Sequence, residues 1–470
     1  MQPKSAVMEH RAEKDSMGEM QVPADSLYGA STQRAVLNFP VSEKRFPRVF
    51  LEALGAVKAA AAAANMKLGK LDPKLGEPLR KAALAVRNGE HDSQFVVDIY
   101  QTGSGTSTNT NVNEVIANLA NLSLGEPVGK KSPVHPNDHV NMGQSSNDVI
   151  PTAIHVSAVL DIERRLLAAL DALANALAAK AEAFRDVVKT GRTHLQDATP
   201  VTLGQEFSGY ATQVKNCRRR IERSLEELRE LAIGGTAVGT GMNTHPQFAR
   251  LVCEDLGRQF STQFREAPNH FESLAAKDTC AEVSGALKVL AVALTKVAND
   301  IRWLSSGPRA GFGEITIPET QPGSSIMPGK VNPVIAESVL QVAAQVVGND
   351  LVVATGAAAG NFELNVMMPV IAYNLLDSIN LLANVCNNFK EKCVDGIQAN
   401  AEQCAETIER GLSLVTAFSP VIGYDKAAHL SQKAYRENKT IREVAREEGL
   451  FSDEELDRLL DPRTMLQPEG

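Results

Sequence analysis

Apolar residues recur along much of this chain with the period of an α-helix. Between residues 159 and 177 they are spaced three and four apart, which places them on one face of a helix in a bundle. The residues of this stripe are Val159, Ile162, Leu166, Leu170, Leu173 and Leu177. The pattern predicts further long helices at about 202–231, 272–304, 334–358 and 369–397, with shorter helices before residue 145 and after residue 404.

Several of these predicted helices approach thirty residues, far above the mean of about 11–12 residues in globular proteins. A helix of that length buries one side only against partners of comparable length, often on another subunit. We therefore predict a mainly α fold of three domains: a mixed, mostly helical domain at 1–145, a central bundle of long helices at 146–403, and a small helical domain at 404–470. We expect self-association to complete the bundle.

Composition and charge narrow the possible functions. Hydrophobic residues make up 43% of the 470 residues and charged residues 22%, which is an ordinary globular range. The formal net charge of −8 argues against general nucleic-acid binding, which needs a basic surface. An anionic substrate would therefore have to be drawn by a local cationic pocket.

The six cysteines show no CxxC spacing, and we interpret them as reduced structural thiols of an intracellular protein. They are Cys217, Cys253, Cys280, Cys386, Cys393 and Cys404. The first twenty residues lack the apolar region of a secretion signal, and nowhere do eighteen apolar residues run uninterrupted. We expect a cytoplasmic protein that binds neither membrane nor nucleic acid.

Four polar segments rich in glycine, hydroxyl or amide residues interrupt the helices. They are TGSGTSTNTN at 102–111, HPNDHVNMGQSSND at 135–148, GRTHLQDATP at 191–200 and QPGSSIMPGKVNP at 321–333. Any one of them could be a solvated connector, but alternate loops of an antiparallel bundle meet at one end. Neutral donors with one lysine suit a small carboxylate ligand, because hydroxyls, amides and helix N-termini bind anions directionally.

The segment at 321–333 contains Gly-Lys but does not fit a nucleotide-binding P-loop. Five residues separate Gly323 from Gly329, where a P-loop has four, and Val331 stands where that loop has its metal-binding hydroxyl. The glycines of GGTAVGTGMN at 234–243 also fail the dinucleotide spacing, and we interpret this segment as a tight crossing between helices. No zinc, calcium or GxSxG motif is present, so we predict neither a metal nor a cofactor.

Two of the nine histidines have neighbours that suggest chemistry. His194 follows Thr193 and lies near Gln196 in the third polar segment, although a lone histidine is more often structural. His135 precedes a proline in HPND, where a structural role in a turn is equally open. The residues alone leave both alternatives open.

Taken together, these segments resemble the fumarase/aspartase superfamily, and within it the class II fumarate hydratases. GSSIMPGKVNP is similar to the superfamily signature, and QTGSGTSTNTNVNEVIAN, VHPNDHVN, QSSNDVIPTA and GRTHLQDATPVTLGQEFSGY match family segments in the same order. The resemblance extends from RAEKDSM near the start to IGYDKAA. It implies a mainly α homotetramer with active sites shared between subunits, no cofactor, and reversible hydration of fumarate to L-malate in the tricarboxylic acid cycle.

The resemblance assigns roles to individual residues. Ser324 matches the catalytic base, His194 the residue that assists water or proton handling, and Glu337 the carboxylate that supports this histidine. The implied substrate-binding residues are Ser104, Thr106, Ser145, Ser146, Asn147, Thr193, Ser325, Lys330 and Asn332. A secondary dicarboxylate site falls on His135, Asn137 and Asp138. Ser132 stands where family members often have arginine, which puts the strength of this second site in question.

The implied reaction explains why these residue types are needed. Removing the proton next to a carboxylate of malate leaves a carbanion, which is tolerable only as an aci-carboxylate with added negative charge on its oxygens. Lys330, Asn332 and the amides of the glycine loop are expected to stabilise that charge, and loop amides also the alkoxide of Ser324. His194 and a water held by the substrate loops are expected to protonate the departing hydroxide.

Two alternative functions compete with the hydratase. Aspartate ammonia-lyase shares the superfamily fold and the carbanion chemistry, but such lyases usually carry glutamine where this chain has His194. A non-catalytic scaffold would be expected to lose the base or the carboxylate ligands, and here Ser324, Lys330 and Asn332 are all present. We therefore favour the hydratase.

Overall fold

The structure is a computed structural model that describes residues 9–468, and it is predominantly helical. In chain order the α-helices are α1 Ala30–Asn38, α2 Arg48–Lys67, α3 Pro73–Asn88, α4 Thr106–Ser123, α5 Ser146–Asp161, α6 Leu167–Ala183, α7 Leu203–Leu228, α8 Phe248–Phe260, α9 His270–Ala275, α10 Asp278–Leu304, α11 Val334–Ala357, α12 Met368–Lys392, α13 Ala401–Glu409, α14 Ser419–Ile422, α15 Tyr424–Glu437, α16 Ile441–Glu447 and α17 Asp453–Leu459.

Short strands pair in twos. They are β1 His10–Asp15 with β2 Gly18–Pro23, β3 Val188–Thr193 with β4 Gln196–Thr202, β5 Glu230–Leu231 with β6 Arg265–Glu266, β7 Ile315–Thr316 with β10 Gln398–Ala399, and β8 Gly360–Asn361 with β9 Leu364–Asn365. Among the strand pairs of the described residues, only β5 and β6 run parallel. Because no sheet of three or more strands occurs within residues 9–468, the prediction of a mainly α fold is confirmed.

The helices predicted at 202–231, 334–358 and 369–397 correspond to α7, α11 and α12. The long stripe that begins near residue 159 continues through a π-helical turn, Ile162–Leu166, which joins α5 to α6. The apolar period therefore located these helices well, because it depends only on local helix geometry.

The helix predicted at 272–304 is not continuous, and this prediction was wrong. α9 and α10 are separate, and Ala276 between them is extended, with φ −79° and ψ 150°. Lys277 explains the break, because its buried ammonium donates to the carbonyl oxygens of Ser273, Leu274 and Ala276 at 2.7–2.9 Å. These bonds satisfy carbonyl groups that a continuing helix would otherwise use.

The chain forms two compact units. The first unit contains residues up to 167 together with 219–289 and 345–382. The second unit contains residues 168–218, 290–344 and those from 383 onwards. The three-domain division stays a prediction.

In the first unit, the alanine-rich helix α2 packs against α3, α5 and α8. Ala59, Ala60 and Ala61 are fully buried, and their small side chains let neighbouring helix axes approach. A Cβ atom at Gly55 would collide with the main-chain nitrogen of Arg87, so α2 and α3 can touch here only through glycine. By length and hydropathy alone α2 and α11 could each cross a membrane, but α2 is mostly buried inside this unit.

The second unit contains a hydrophobic core built from the C-terminal segment. Its fully or almost fully buried members include Leu414, Phe418, Leu430, Ala434, Ile441, Val444, Ala445, Leu456 and Leu460. At the start of α17, the Ser452 hydroxyl accepts from the N–H of Glu455 at 3.2 Å, and the Glu455 carboxylate accepts from the N–H of Ser452 at 2.8 Å. This reciprocal pair is a capping box, which confirms the serine cap that the acidic first turn of FSDEELDRLLDP predicts.

All six cysteines are buried. Burial raises the pKa of Cys253, Cys386, Cys393 and Cys404 to about 12 and that of Cys280 to about 11. Since the thiolate is the reactive form, thiols with these pKa values react slowly at neutral pH. The cysteines therefore contribute to packing in both units.

His155 on α5 makes the first unit sensitive to acid. Desolvation lowers the pKa of this partly buried imidazole to about 4, and its Nδ1 donates to the main-chain oxygen of Glu230 at 2.8 Å. Because the folded pKa lies below the unfolded value of about 6.5, the resulting stability is full above pH 6.5 and is lost as the pH falls through 4. We expect this one histidine to lower the free energy of unfolding by up to about 2 kcal/mol at about pH 5, relative to its value above pH 6.5.

The measurement is the thermal midpoint at about pH 7.5 and about pH 5, for wild type and His155→Gln. We expect the midpoint of wild type to fall more than that of the variant over this interval. His429→Gln is the control for the effect of a His-to-Gln replacement as such, because His429 lies exposed on α15. If the thermal midpoints of wild type and His155→Gln fell equally, protonation of His155 in the folded state would carry no free-energy cost.

Candidate active site

The N-termini of α4 and α5 line a cavity of about 380 Å³ in the first unit. The hydroxyl of Thr106 lies 2.7 Å from that of Ser104 and 2.6 Å from that of Ser146, so three hydroxyls form a chain between the two helices. The dipoles of both helices favour an anion at this position. Two of the predicted polar segments, 102–111 and 135–148, thus meet in one site.

A capping box fixes the start of α5. Ser145 Oγ accepts from the N–H of Asn147 at 3.2 Å, and the Asp148 carboxylate accepts from the N–H of Ser145 at 2.9 Å. The second carboxylate oxygen of Asp148 accepts from the N–H groups of Gly234 and Thr236, at 3.0 and 2.9 Å. Asp148 is fully buried, and desolvation raises its pKa to about 6.

The glycine-rich segment 234–243 is not the tight helix crossing that its sequence suggested. It runs as a series of turns between β5 and α8, and four of its residues line the cavity. The main-chain oxygen of Ala237 accepts from Nδ2 of Asn147 at 2.8 Å. The interpretation was wrong because Asp148, distant in sequence, holds this segment against the start of α5.

Sequence reasoning missed five polar residues around the same cavity. Asn109 and Asn113 on α4 and Asn141 and Gln144 in the turn before α5 line it, and Lys58 of α2 bonds to the last two. Two signals could have found them. Asn109 and Asn113 are four residues apart and therefore lie on one face of their helix. Lys58 is the one charged residue within the apolar run GAVKAAAAAAN.

The predicted secondary site forms a π-helical turn, Pro136–Val140. The N–H groups of Asn137 and Asp138 point to Nδ1 of His135 at 3.3 and 3.2 Å, so the ring caps the turn. Asn137 lines the same cavity as Thr106, whereas His135 and Asp138 do not. One of the three predicted residues therefore belongs to the wall of the main cavity.

Thr193 and His194 lie at the tip of a β-hairpin in the second unit, a structure that the sequence did not predict. Thr193 pairs with Gln196, so His194 and Leu195 form a two-residue turn between β3 and β4. Both turn residues have positive φ, 57° and 60°, as tight turns that match the twist of paired strands require. The turn leaves the side chain of His194 exposed.

Buried charges hold this hairpin in the second unit. Lys189 on β3 is 1% exposed, and its ammonium lies 2.8 Å from Glu206 and 3.0 Å from Glu314. Arg192 donates to the other carboxylate oxygen of Glu314 at 2.8 Å and stacks on the ring of Phe312. Desolvation raises the pKa of Glu206. The network fixes the strand whose end carries the two predicted site residues.

The glycine-rich loop before α11 presents Ser324. The Oγ atom of Ser324 accepts from the N–H groups of Met327 at 3.0 Å and Ile326 at 3.3 Å. Two donors on one hydroxyl oxygen favour negative charge there. Nδ2 of Asn332 donates to the carbonyl oxygen of Gly323, which closes the loop on itself.

The other predicted residues of the second unit lie close in sequence to Ser324. Ser325 and Lys330 are exposed on the same loop, and Glu337 lies in the first turn of α11. Within residues 9–468, no hydrogen bond joins His194 to Ser324 or to Glu337. The same range contains no group of three or more His, Cys, Asp or Glu side chains that could hold a metal ion. The catalytic roles stay predictions.

Known proteins resemble this chain along almost its whole length. A lyase family model matches residues 18–348, and a model of the fumarase C C-terminus matches residues 414–467. A class II fumarate hydratase of Neisseria meningitidis is 51% identical and covers 98% of this chain and 100% of its own. One from Nitrosomonas europaea is also 51% identical, with 98% and 99% covered.

A solved structure agrees with these sequence relatives. The crystal structure of a class II fumarase from Schistosoma mansoni superposes with a TM-score of 0.96 at 40% identity, covering 98% of this chain and 100% of that one. Both the family models and the full-length identities exceed what a shared fold alone would give. This chain therefore belongs to the class II fumarate hydratase family of lyases.

Proposed function

We propose that this protein interconverts fumarate and L-malate, as a hydratase of the tricarboxylic acid cycle. The relatives named class II fumarate hydratase match nearly the whole chain at 51% identity. The structural observation that supports the proposal most is Ser324, whose hydroxyl oxygen receives two main-chain N–H groups. A serine is a poor base unless its alkoxide is stabilised in this way.

Dehydration of malate begins with proton removal in this proposal. Ser324 takes the proton from the carbon next to one carboxylate, and the electron pair of that C–H bond moves onto the carboxylate, which becomes the aci-carboxylate. Lys330 and Asn332, on the same loop, bind this carboxylate and stabilise the added charge. Ser325 and Thr193 contribute further hydrogen bonds to the substrate.

The hydroxide leaves next, from the neighbouring carbon. His194 and a water bound by the hydroxyls at the starts of α4 and α5 supply its proton, and Glu337 supports the imidazole. The second carboxylate of the substrate binds among the neutral donors of the cavity, where both helix N-termini favour an anion. His135, Asn137 and Asp138 provide a weaker secondary site for a dicarboxylate.

We further propose a homotetramer in which three copies of the chain contribute to each active site. Helix α11 supports self-association, because Val347, Leu351 and Val352 are apolar yet 45%, 69% and 38% exposed in the single chain. Exposed apolar residues on one long helix are typical of a surface that another subunit covers. A cytoplasmic location fits six buried cysteines that form no disulfide.

The test is purified protein incubated separately with L-malate and with L-aspartate, while the ultraviolet absorbance of fumarate is followed. We expect signal from malate alone, and the same rate after treatment with EDTA, because the proposed chemistry uses only side chains and main-chain amides. Signal from aspartate alone would assign the chain to the ammonia-lyases. No signal from either substrate, with an intact tetramer by light scattering, would favour a non-catalytic scaffold.

A further inference from the structure

Lys58 is a fully buried lysine behind the cavity of the first unit. It lies on α2, and its ammonium donates to Oδ1 of Asn141 at 3.0 Å and to Oε1 of Gln144 at 2.9 Å. Burial lowers the pKa of Lys58 to about 7. A lysine is almost never fully buried without specific partners, because desolvation of its amine is costly. The two hydrogen bonds to Asn141 and Gln144 offset that cost.

Both partners of Lys58 belong to the turn that precedes Ser145. Asn141 Nδ2 donates to the main-chain oxygen of Gln144 at 3.2 Å, and Gln144 Nε2 donates to the main-chain oxygens of Val140 and Met142 at 3.0 and 3.2 Å. The two amide side chains thus tie the turn together from inside. The ammonium fixes both of their oxygens at once.

The same contact reaches the other wall of the cavity. Oδ1 of Asn141 also accepts from Nδ2 of Asn109 and of Asn113, at 3.1 and 3.2 Å, and both of these residues lie on α4. A single amide oxygen therefore joins α2, α4 and the turn before α5. A charged donor strengthens this shared contact, because hydrogen bonds that involve an ionised group are about twice as strong as neutral ones.

The residues that line the cavity are all uncharged. They are asparagine, glutamine, serine, threonine, glycine, alanine and methionine residues. Lys58 contacts this neutral wall from behind, through Asn141 and Gln144, and so acts on it without occupying the site. Asp148, also fully buried, interacts with Lys58 and holds the start of α5.

We propose that Lys58 is a positioning residue for substrate binding: it locks Asn141 and Gln144, and through them holds the hydroxyls at the starts of α4 and α5 in the geometry that receives the carboxylate. The inference rests on the proposed hydratase function. Lys58 itself does not touch the substrate. Its effect should therefore appear in the KM for fumarate and malate more than in kcat.

Lys277 offers a matched control for a merely structural role. It is also buried in the first unit, at 2% exposure, and burial lowers its pKa to about 8. Its ammonium donates only to main-chain carbonyl oxygens at the end of α9, none of which lines the cavity. Lys277→Met should lower the thermal midpoint and leave the KM of the folded enzyme within about twofold of wild type.

The experiment compares Lys58→Met with Lys277→Met in the full-length enzyme, measuring KM, kcat and the thermal midpoint. We expect Lys58→Met to raise the KM for both substrates about tenfold or more, since hydrogen bonds to a charged group are lost, with a smaller change in kcat. An unchanged KM, with a midpoint lowered as in Lys277→Met, would overturn the proposal and leave Lys58 a structural residue.

A second variant keeps the test decisive if Lys58→Met does not fold. Lys58→Gln keeps uncharged N–H donors, so its KM should lie between those of wild type and Lys58→Met, and a KM equal to wild type would overturn the proposal. Wild-type activity is measured first. If the wild type shows no activity toward malate or fumarate, the hydratase function is rejected. If the wild type is active and the Lys58 variants have an unaltered KM, only this inference is rejected.

Discussion

Replacing Ser324 with alanine is expected to lower kcat for malate dehydration and for fumarate hydration by about 10²–10⁴-fold, the usual contribution of a positioned proton acceptor. The KM should change little, because the hydroxyl acts on the proton and not on the carboxylates. The two N–H groups that Ser324 Oγ accepts would remain on the main chain of Ile326 and Met327, so the loop should keep its conformation.

Exchange of the substrate proton isolates the step. Wild type incubated with L-malate in D₂O should introduce deuterium at the carbon next to the carboxylate, and Ser324→Ala should not. Ser325→Ala is the matched comparison, because Ser325 is exposed on the same loop and is proposed to bind substrate. That variant should raise KM more than it lowers kcat. If Ser324→Ala still exchanged deuterium at the wild-type rate, another residue would be the base.

Gly323→Ala is expected to lower kcat/KM by about a hundredfold or more, through loop geometry alone. A Cβ atom at residue 323 would overlap the Lys330 carbonyl oxygen, far inside the van der Waals contact distance of the two atoms. The two segments of the loop that meet at Gly323 and Lys330 would have to separate, which would move Ser324 away from Lys330 and Asn332. A displacement of about 1 Å of catalytic groups is enough for a loss of about 10²-fold.

The thermal midpoint distinguishes a change of loop geometry in Gly323→Ala from unfolding of the protein. Because the loop is largely exposed, the thermal midpoint of Gly323→Ala should stay within a few degrees of wild type. Gly329→Ala is the control in the same loop: its φ of 80° disfavours alanine, but no atom lies within 4 Å of the added Cβ. It should lose much less activity. Equal losses in both variants would mean that loop flexibility, and not the close approach at Gly323, limits the reaction.

Local sequence patterns predicted the long helices and the cap of α17, because the helical period and a serine before acidic residues act within one or two turns. They did not predict the break at Ala276, where the side chain of Lys277 takes the carbonyl groups of α9. Nor did they predict the hairpin that presents His194. Two consecutive non-glycine residues with positive φ leave no signature in composition.

The sequence by itself determined the helical class and the polar segments of the site, and their motifs pointed to a carboxylate-binding lyase. These properties follow from residue type and short-range spacing. Only the tertiary structure decided which segments share a cavity, that 234–243 lines it, and that Lys58 stands behind it. The deciding bonds, Asp148 to Gly234 and Lys58 to Gln144, each join residues 86 positions apart. Contacts at such separations arise from the packing of whole helices, which no local period encodes.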